Sequence, residues 1–443
     1  MVKLIKSLAS HKGFVKYFNN TLLIFFEKVL RIFVGLFVSV WVARYLGPTD
    51  FGEFSYILSF VGIFSVLATL GLDSIVVREL VAENIDEGKI IGTAFLLKII
   101  GFFLVIAAIL FAIPFTSNNS YTNILIFIVA GATIFQSFNV VDMYFQSKVL
   151  SKYVVYANFI SLFISSIVKI IFILNEYSLI YFIWVIVFDS LILAAGLVYF
   201  FTTKSTISIK NLKFDKETSF FLLKDSWPLI FSGIVISIYM RIDQIMIREI
   251  LNIESVGQYA AAHKISSAWY FVPSVIVSSL FPAIIKAKKD NHELYLYRLQ
   301  FLYDFMIWIG VFVAIVITLN ADAIISLLYG SQYNQSSQVL AIQIWTVVVM
   351  NFGIVWSKWL ILENMQRYGL YGDIFSLLVN IVLNLFLIRL YGINGAAIAT
   401  FISYLITPFL VMAFIRNNLP IVMLLNSLNI IKVYKNIKEY KGI

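Results

Sequence analysis

Among the 33 Lys and Arg residues of the chain, Lys28, Arg31, Lys98, Lys169, Arg241, Lys264 and Lys358 sit inside long apolar stretches. An ionised side chain at the centre of a bilayer costs at least ~2.5 kcal/mol, so such groups turn toward a bundle interior or a wet cavity. Lys28, Arg31, Gly35 and Ser39 step by three, four and four, which puts a cationic and then a small stripe on one helical face. Ser237, Arg241, Gln244 and Arg248 make a comparable stripe beside Asp243. Taken together, Lys28, Arg31, Lys169, Arg241, Lys264 and Lys358 supply positive charge from both halves of the chain. The economical reading is a cationic central cavity for an anionic ligand, with pyrophosphate or an acidic sugar as examples. For each cation taken singly, snorkelling to the interface or a structural ion pair competes with that reading.

The acids offer a second chemistry. Glu27, Asp142, Asp189 and Asp243 are candidates to carry a coupling proton or sodium ion, and Asp73 is a further acid in the apolar stretches. Each can instead neutralise a cation: Glu27 lies one turn before Arg31, and Asp243 lies beside Arg241. Uncharged polar residues complete the set. Gln136 and Asn139 lead into Asp142 and Gln146; Asn158, Ser161 and Ser165 precede Lys169; Asp373, Asn380 and Asn384 flank Ser376. These stripes can line a polar cavity, where the one from Gln136 to Gln146 would meet sugar hydroxyls, or they can hydrogen-bond between helices.

The elements that hold these groups are membrane helices. Apolar residues make up 61% of the chain and charged residues 13%, which excludes an ordinary soluble enzyme. Hydrophobic stretches of bilayer length run near 21–45, 54–77, 93–115, 123–146, 154–174 and 179–202, then 227–249, 256–285, 299–320, 336–362, 368–389 and 393–415. The expected fold is an all-α integral membrane protein of about twelve transmembrane helices in two six-helix, pseudo-symmetric lobes related as a parallel repeat. The corresponding organisation is a lobe at 1–202, a linker at 203–225, a lobe at 226–416 and a basic amphipathic tail at 417–443.

Nearly all Lys and Arg outside the stretches fall in one set of connections, while the opposite set holds only Arg44, Arg248 and Arg389. That bias orients both termini to the cytoplasm and accounts for the net charge of +9 without a nucleic-acid site. There is no Cys, and His11, His263 and His292 are scattered, so no metal site is expected. No Gly-rich nucleotide loop and no external segment of domain size is present, which argues against an enzyme or an ATP-driven pump and for no cofactor beyond a coupling ion.

Self-similarity supports the two halves. KYVVYANFISL at 152–162 is answered by RYGLYGDIFSL at 367–377, an offset of 215. The polar steps Asn158, Ser161, Ser165, Lys169 reappear as Asp373, Ser376, Asn380, Asn384. A weaker echo, at an offset of 204 to 205, relates RYLGPTDFGEF from Arg44 to REILNIESVGQY from Arg248.

Val42 to Leu80, with RYLGP, FGEFSY and GLDSIVVREL, resembles the opening of the Wzx-type polysaccharide flippases of the multidrug/oligosaccharidyl-lipid/polysaccharide exporter superfamily. YGINGAAIAT at 391–400 resembles that family's junction before its last helix pair. The resemblance implies a multi-pass protein of the bacterial cytoplasmic (inner) membrane. It also implies export of undecaprenyl-pyrophosphate-linked oligosaccharide units for O-antigen and lipopolysaccharide, capsule or exopolysaccharide, by alternating access. Its partners would then be the lipid-linked oligosaccharide, membrane lipids and the polymerase and chain-length components of the same pathway. Arg31 agrees with cationic residues at similar places in lipid-linked flippases. Drug efflux on the same fold would favour acidic cavity walls, and a membrane-embedded glycan polymerase would favour a large external loop.

Overall fold

The computed structural model describes residues 12–413, 415, 419–429 and 432–433, with side chains described from residue 20 onward. Lys3, Lys6, His11, Arg416, Lys435, Lys438 and Lys441, and with them most of the expected amphipathic tail, lie outside the described residues. The described residues form helices and connecting loops.

The chain divides into two compact units, Met1–Leu46 with Glu53–Ser237, and Gly47–Gly52 with Ile238–Ile443. The first carries α1 (Lys12–Phe64) apart from Gly47–Gly52, α2 (Val66–Thr69), α3 (Asp73–Ala82), α4 (Glu87–Ala112), α5 (Ser120–Ala132), α6 (Val140–Ser147), α7 (Lys152–Leu174), α8 (Leu179–Lys204) and most of α9 (Lys216–Tyr239). The second carries α10 (Ile242–Ile250), α11 (Ile253–Ala268), α12 (Phe271–Asp290), α13 (His292–Leu319), α14 (Ala321–Leu328), α15 (Asn334–Gln343), α16 (Thr346–Leu362), α17 (Gln366–Tyr391), α18 (Ile393–Ala413) and α19 (Leu419–Leu428). The unit boundary thus falls inside the seventh apolar stretch, whereas the sequence reading starts the second lobe at 226.

By length and composition, nine helices among the described residues can cross a membrane, or eleven when each of two bent pairs counts as one span. The expected count of about twelve differs for a local reason: the first two apolar stretches share α1, which is kinked rather than interrupted. Gly47, at φ 72 and ψ 171, closes the first arm, and Pro48 opens the second. The second stretch then breaks again where Leu70 and Gly71 take positive φ.

Two close approaches follow from small residues. A Cβ on Gly52 would lie 2.0 Å from the Ile253 carbonyl oxygen, and one on Gly257 would lie 1.9 Å from that of Pro48. These glycines are matched residues of the weaker echo, and each fits only because the other side presents bare backbone. The stretch 205–215 also docks through glycine. Gly88 and Gly92 of α4 leave room for the backbone of Asn211 and Lys213, whose atoms would stand 2.5 and 2.6 Å from added Cβ atoms. The Asp215 amide donates to Thr93 Oγ1 at 2.9 Å. Its carboxylate caps α9 by accepting from the Thr218 amide and hydroxyl at 2.9 and 2.6 Å. Those two bonds stabilise the charged form and hold the Asp215 pKa below the usual carboxylate range.

Within each unit the fifth and sixth stretches pack as a tight helix pair, and the pairs correspond. In the first, Gly196 of α8 faces Ala157 of α7, so an added Cβ would meet that of Ala157 at 3.0 Å. In the second, Gly372 of α17 faces Val411 and Thr407 of α18, at 3.2 and 3.3 Å from an added Cβ. Ala157 with Gly196 and Gly372 with Val411 are separated by the same offset of 215 that relates the sequences.

The start of the tail is an apolar helix rather than free chain. α19 packs on α13, where Ser427 Oγ donates to the buried Asp304 at 2.5 Å and the Trp308 indole donates to the Ser427 carbonyl at 3.0 Å.

Candidate functional site

In the first unit, α1, α6 and α7 enclose a cavity of 460 Å3. Its polar wall is Asn20, Glu27, Lys28, Asp142, Gln146, Ser151 and Asn158, over a floor of Ile24, Val154 and Val155. Both Glu27 and Lys28 of α1 reach this cavity, and Lys28 and Asp142 interact electrostatically across it. Glu27 is buried and accepts a hydrogen bond from Arg31 Nε at 2.7 Å, the i,i+4 pair that the spacing predicts. Arg31 itself is 44% exposed, and the pair uses Nε, which leaves the two terminal guanidinium nitrogens as a fork for an anion.

In the second unit the centre is a buried carboxylate held by three neutral donors. Asp243 of α10 accepts from Tyr259 Oη of α11 at 2.6 Å, from Asn384 Nδ2 of α17 at 2.7 Å and from Thr400 Oγ1 of α18 at 2.5 Å. Around it, Asn384 Nδ2 also reaches Asn380 Oδ1 at 3.1 Å, and Gln343 Nε2 joins Tyr259 to His263 at 3.1 and 2.9 Å. Asn384 Oδ1 is buried and has no hydrogen-bond partner. The cluster therefore brings together carboxylate, amide and hydroxyl oxygens, the ligand type of hard cations such as sodium.

The predicted residues distribute unevenly over these places. Ser161 Oγ lies between helices, donating to Asp189 on α8 at the carbonyl oxygen, 2.8 Å, and at Oδ1, 2.5 Å. Ser161, Ser165, Asn380 and Asn384 are all buried in helix packing and so do not line an open cavity as expected from their stripe. Among the stripe residues of α7, Asn158 lines the cavity. Gln136 and Asn139 belong to a 3-10 turn, Thr133–Asn139, so the helical stripe does not run on unbroken; the cavity takes in Asp142 and Gln146 beyond it. Lys169 is half-buried and interacts electrostatically with Asp189. Arg241 precedes α10 and is half-buried, Lys264 is exposed, and Lys358 and Asp373 are half-buried. Lys98 is fully buried and donates to Asp73 at 2.7 Å, a structural ion pair.

Sequence reasoning passed over Tyr259, Thr400, Gln343 and His263. Two carried a signal: Thr400 ends the YGINGAAIAT segment, and Tyr259 ends the echo from Arg248.

The chain is similar to the probable low-salt glycan biosynthesis flippase Agl15 of Haloferax volcanii, 22% identical over 393 residues, which covers 85% of this chain and 78% of that relative. Its fold is shared with the lipid II flippase MurJ in an inward closed conformation, at a TM-score of 0.70 and 16% identity over 93% of this chain and 91% of that one. It is shared also with an inward-facing multidrug resistance MATE family transporter of the MOP superfamily, at a TM-score of 0.67 and 14% identity over 92% and 95% of the two chains. A MOP superfamily transporter from Pyrococcus furiosus aligns at a TM-score of 0.57 and 13% identity, over 90% and 94%. The sequence profile of polysaccharide biosynthesis proteins matches residues 18–288, more than half of this multi-pass membrane protein, and the chain belongs to that family.

Proposed function

We propose that this protein is a flippase carrying undecaprenyl-pyrophosphate-linked oligosaccharide repeat units, destined for O-antigen, capsule or exopolysaccharide, from the cytoplasmic to the periplasmic leaflet of a bacterial inner membrane. Both termini are cytoplasmic in this reading, as the Lys and Arg bias predicts. The observation that carries it is the polar cavity of the first unit, set among helices of bilayer length. Its volume of 460 Å3 falls within the range of about 300 to 1,000 Å3 typical of small-ligand sites. Asn20, Gln146, Ser151 and Asn158 offer amides and a hydroxyl to sugar hydroxyls and Lys28 offers charge to a phosphate, while Arg31, outside the lining but paired with the cavity's Glu27, adds the fork of its terminal nitrogens. Transport by alternating access draws on a coupling ion at Asp243, where Asn384 Oδ1 and Thr400 Oγ1 complete an oxygen-rich set.

The test is transport of a lipid-linked oligosaccharide in proteoliposomes, alongside restoration of surface glycan in a strain lacking its own flippase. Arg31→Ala and Lys28→Ala are expected to lower transport about tenfold with expression unchanged. Wild-type rates from well-folded variants would overturn the cationic headgroup site.

A further inference from the structure

We infer that Lys148 is a positioning residue: its ion pair with Glu87 holds the 146–151 turn in a conformation that Val149 disfavours, and opening the pair lets the turn relax and withdraw Gln146 and Ser151 from the cavity of the first unit. The inference rests on the reading of that cavity as the headgroup site, and gives the site a means of letting its ligand go.

The turn has a twin 215 residues on. α6 runs out into Val149 at φ 56, and α16 into Asn364 at φ 57. In the first, the Val149 amide donates to the Gln146 carbonyl at 3.0 Å and the Leu150 amide to that of Phe145 at 2.8 Å. In the second, Asn364 donates to Ile361 at 3.1 Å and Met365 to Leu360 at 2.7 Å. Both are the same left-handed helix cap. Each is clasped by an ion pair, with the polarity reversed. Lys148 Nζ lies 2.6 Å from Glu87 and 3.9 Å from Glu83, whereas Glu363 accepts from Lys288 at 2.8 Å and from Tyr295 Oη at 3.2 Å. Asp86 and Asn291 cap α4 and α13 by accepting from amides at 3.0 and 3.1 Å, and their offset of 205 matches Glu83 to Lys288.

The difference is the residue at the cap. Asparagine takes the left-handed region readily, whereas a β-branched valine is an outlier there. Such a backbone persists only where its surroundings over-determine it. In the second unit a suitable residue is held further by Lys288 Nζ, which donates to the Leu362 carbonyl at 3.1 Å, so that turn is a fixed corner. In the first, the cost of left-handed valine and the contribution of a half-buried ion pair are of the same order, which leaves two states close in free energy. The strained turn is also the one in a cavity wall. Gln146 and Ser151 both line the 460 Å3 cavity, and Asn20 Nδ2 donates to Ser151 Oγ at 3.3 Å.

The chain has no cysteine, so Ser151→Cys in the purified full-length protein carries a single thiol. Its rate of reaction with a charged maleimide reports whether residue 151 stays buried in the wall. Thermal unfolding of each variant establishes that it folds. Against this parent, Lys148→Gln is expected to speed labelling about tenfold, and Lys148→Arg to leave it unchanged. Glu87→Gln cuts the same pair from α4 and is expected to match Lys148→Gln, so the prediction stands on either variant. Adding Val149→Asn, the residue of the twin, is expected to return the rate to within about twofold of the parent, a rescue that loss of an ion pair alone does not produce. Transport of an undecaprenyl-pyrophosphate-linked disaccharide is then measured in proteoliposomes with Ser151 restored. There Lys148→Gln is expected to raise KM about fivefold with kcat undiminished, and Val149→Asn to reverse the rise. Labelling of folded Lys148→Gln and Glu87→Gln at the parent rate, or fast labelling that Val149→Asn does not slow, would overturn the inference alone. Labelling as expected with KM unmoved would overturn the cavity as the headgroup site, and the positioning role with it.

Discussion

The helix pair α7 with α8 and the pair α17 with α18 share a register, a small-residue contact and a serine bonded to a backbone carbonyl on the neighbouring helix, yet they house different electrostatics. In the first pair the acid, Asp189, sits on α8, accepts from Ser161 and lies within the electrostatic reach of Lys169. In the second the acid, Asp243, comes from outside the pair, on α10, and meets only neutral donors. Packing positions have been kept while charged positions have diverged. Packing is set by backbone proximity and tolerates little, whereas a buried polar group needs a satisfied partner of any suitable kind. A repeat is therefore best recognised from its small residues, and function is best sought where its polar residues disagree.

The largest contrast should come from deleting the two acids. Asp243→Ala is expected to reduce transport about a hundredfold, because it removes the anchor of three polar side chains, while Asp189→Ala changes it less than about fivefold. Equal losses from both would show that the units are functionally alike. Next come the packing contacts, where the pairs should behave the same. Gly196→Ala and Gly372→Ala are each expected to lower stability by about 1 to 3 kcal/mol in thermal unfolding, slightly more for Gly196, whose neighbour is closer. A neutral result at either position would break the equivalence.

Smaller still are the serines. Ser161→Ala and Ser376→Ala are each expected to cost about 1 kcal/mol. Ser376→Ala costs the more, because Ser376 also donates to Tyr239 at 3.1 Å and accepts from Thr407 at 2.8 Å. The smallest effect concerns the connection. Because the folded pKa of Asp215 is depressed, its contribution to docking is present above the ordinary carboxylate pKa of about 3.9 and is lost as pH falls through the lower folded value. Limited proteolysis of 205–215 should therefore accelerate in acid, and in Asp215→Asn already at neutral pH. A cleavage rate that ignores both changes would argue against the cap.

Much of this was legible beforehand. The apolar stretches find helices because period and length are properties of the chain itself, and the stripe from Asn158 to Lys169 reads directly as a face of α7. The Glu27 to Arg31 pair follows from spacing alone. What stayed hidden depends on chain segments meeting in space. Nothing near Asp243 in sequence announces Asn384 or Thr400, and Gly88 with Gly92 look like any small residues until the backbone of Asn211 to Lys213 is laid across them. The 3-10 turn at Thr133–Asn139 was invisible for another reason: over so short a run, a period of 3.0 cannot be told from one of 3.6.

The reciprocal approach of Gly52 and Gly257 has a genetic corollary. Since each glycine accommodates the other side's backbone, the two codons answer for a single physical contact. Alleles at 52 and 257 should give one shared phenotype, and the double mutant should be scarcely worse than either parent, as expected when neighbours are coupled rather than independent. A mutational scan that scored the two glycines separately would count this contact twice.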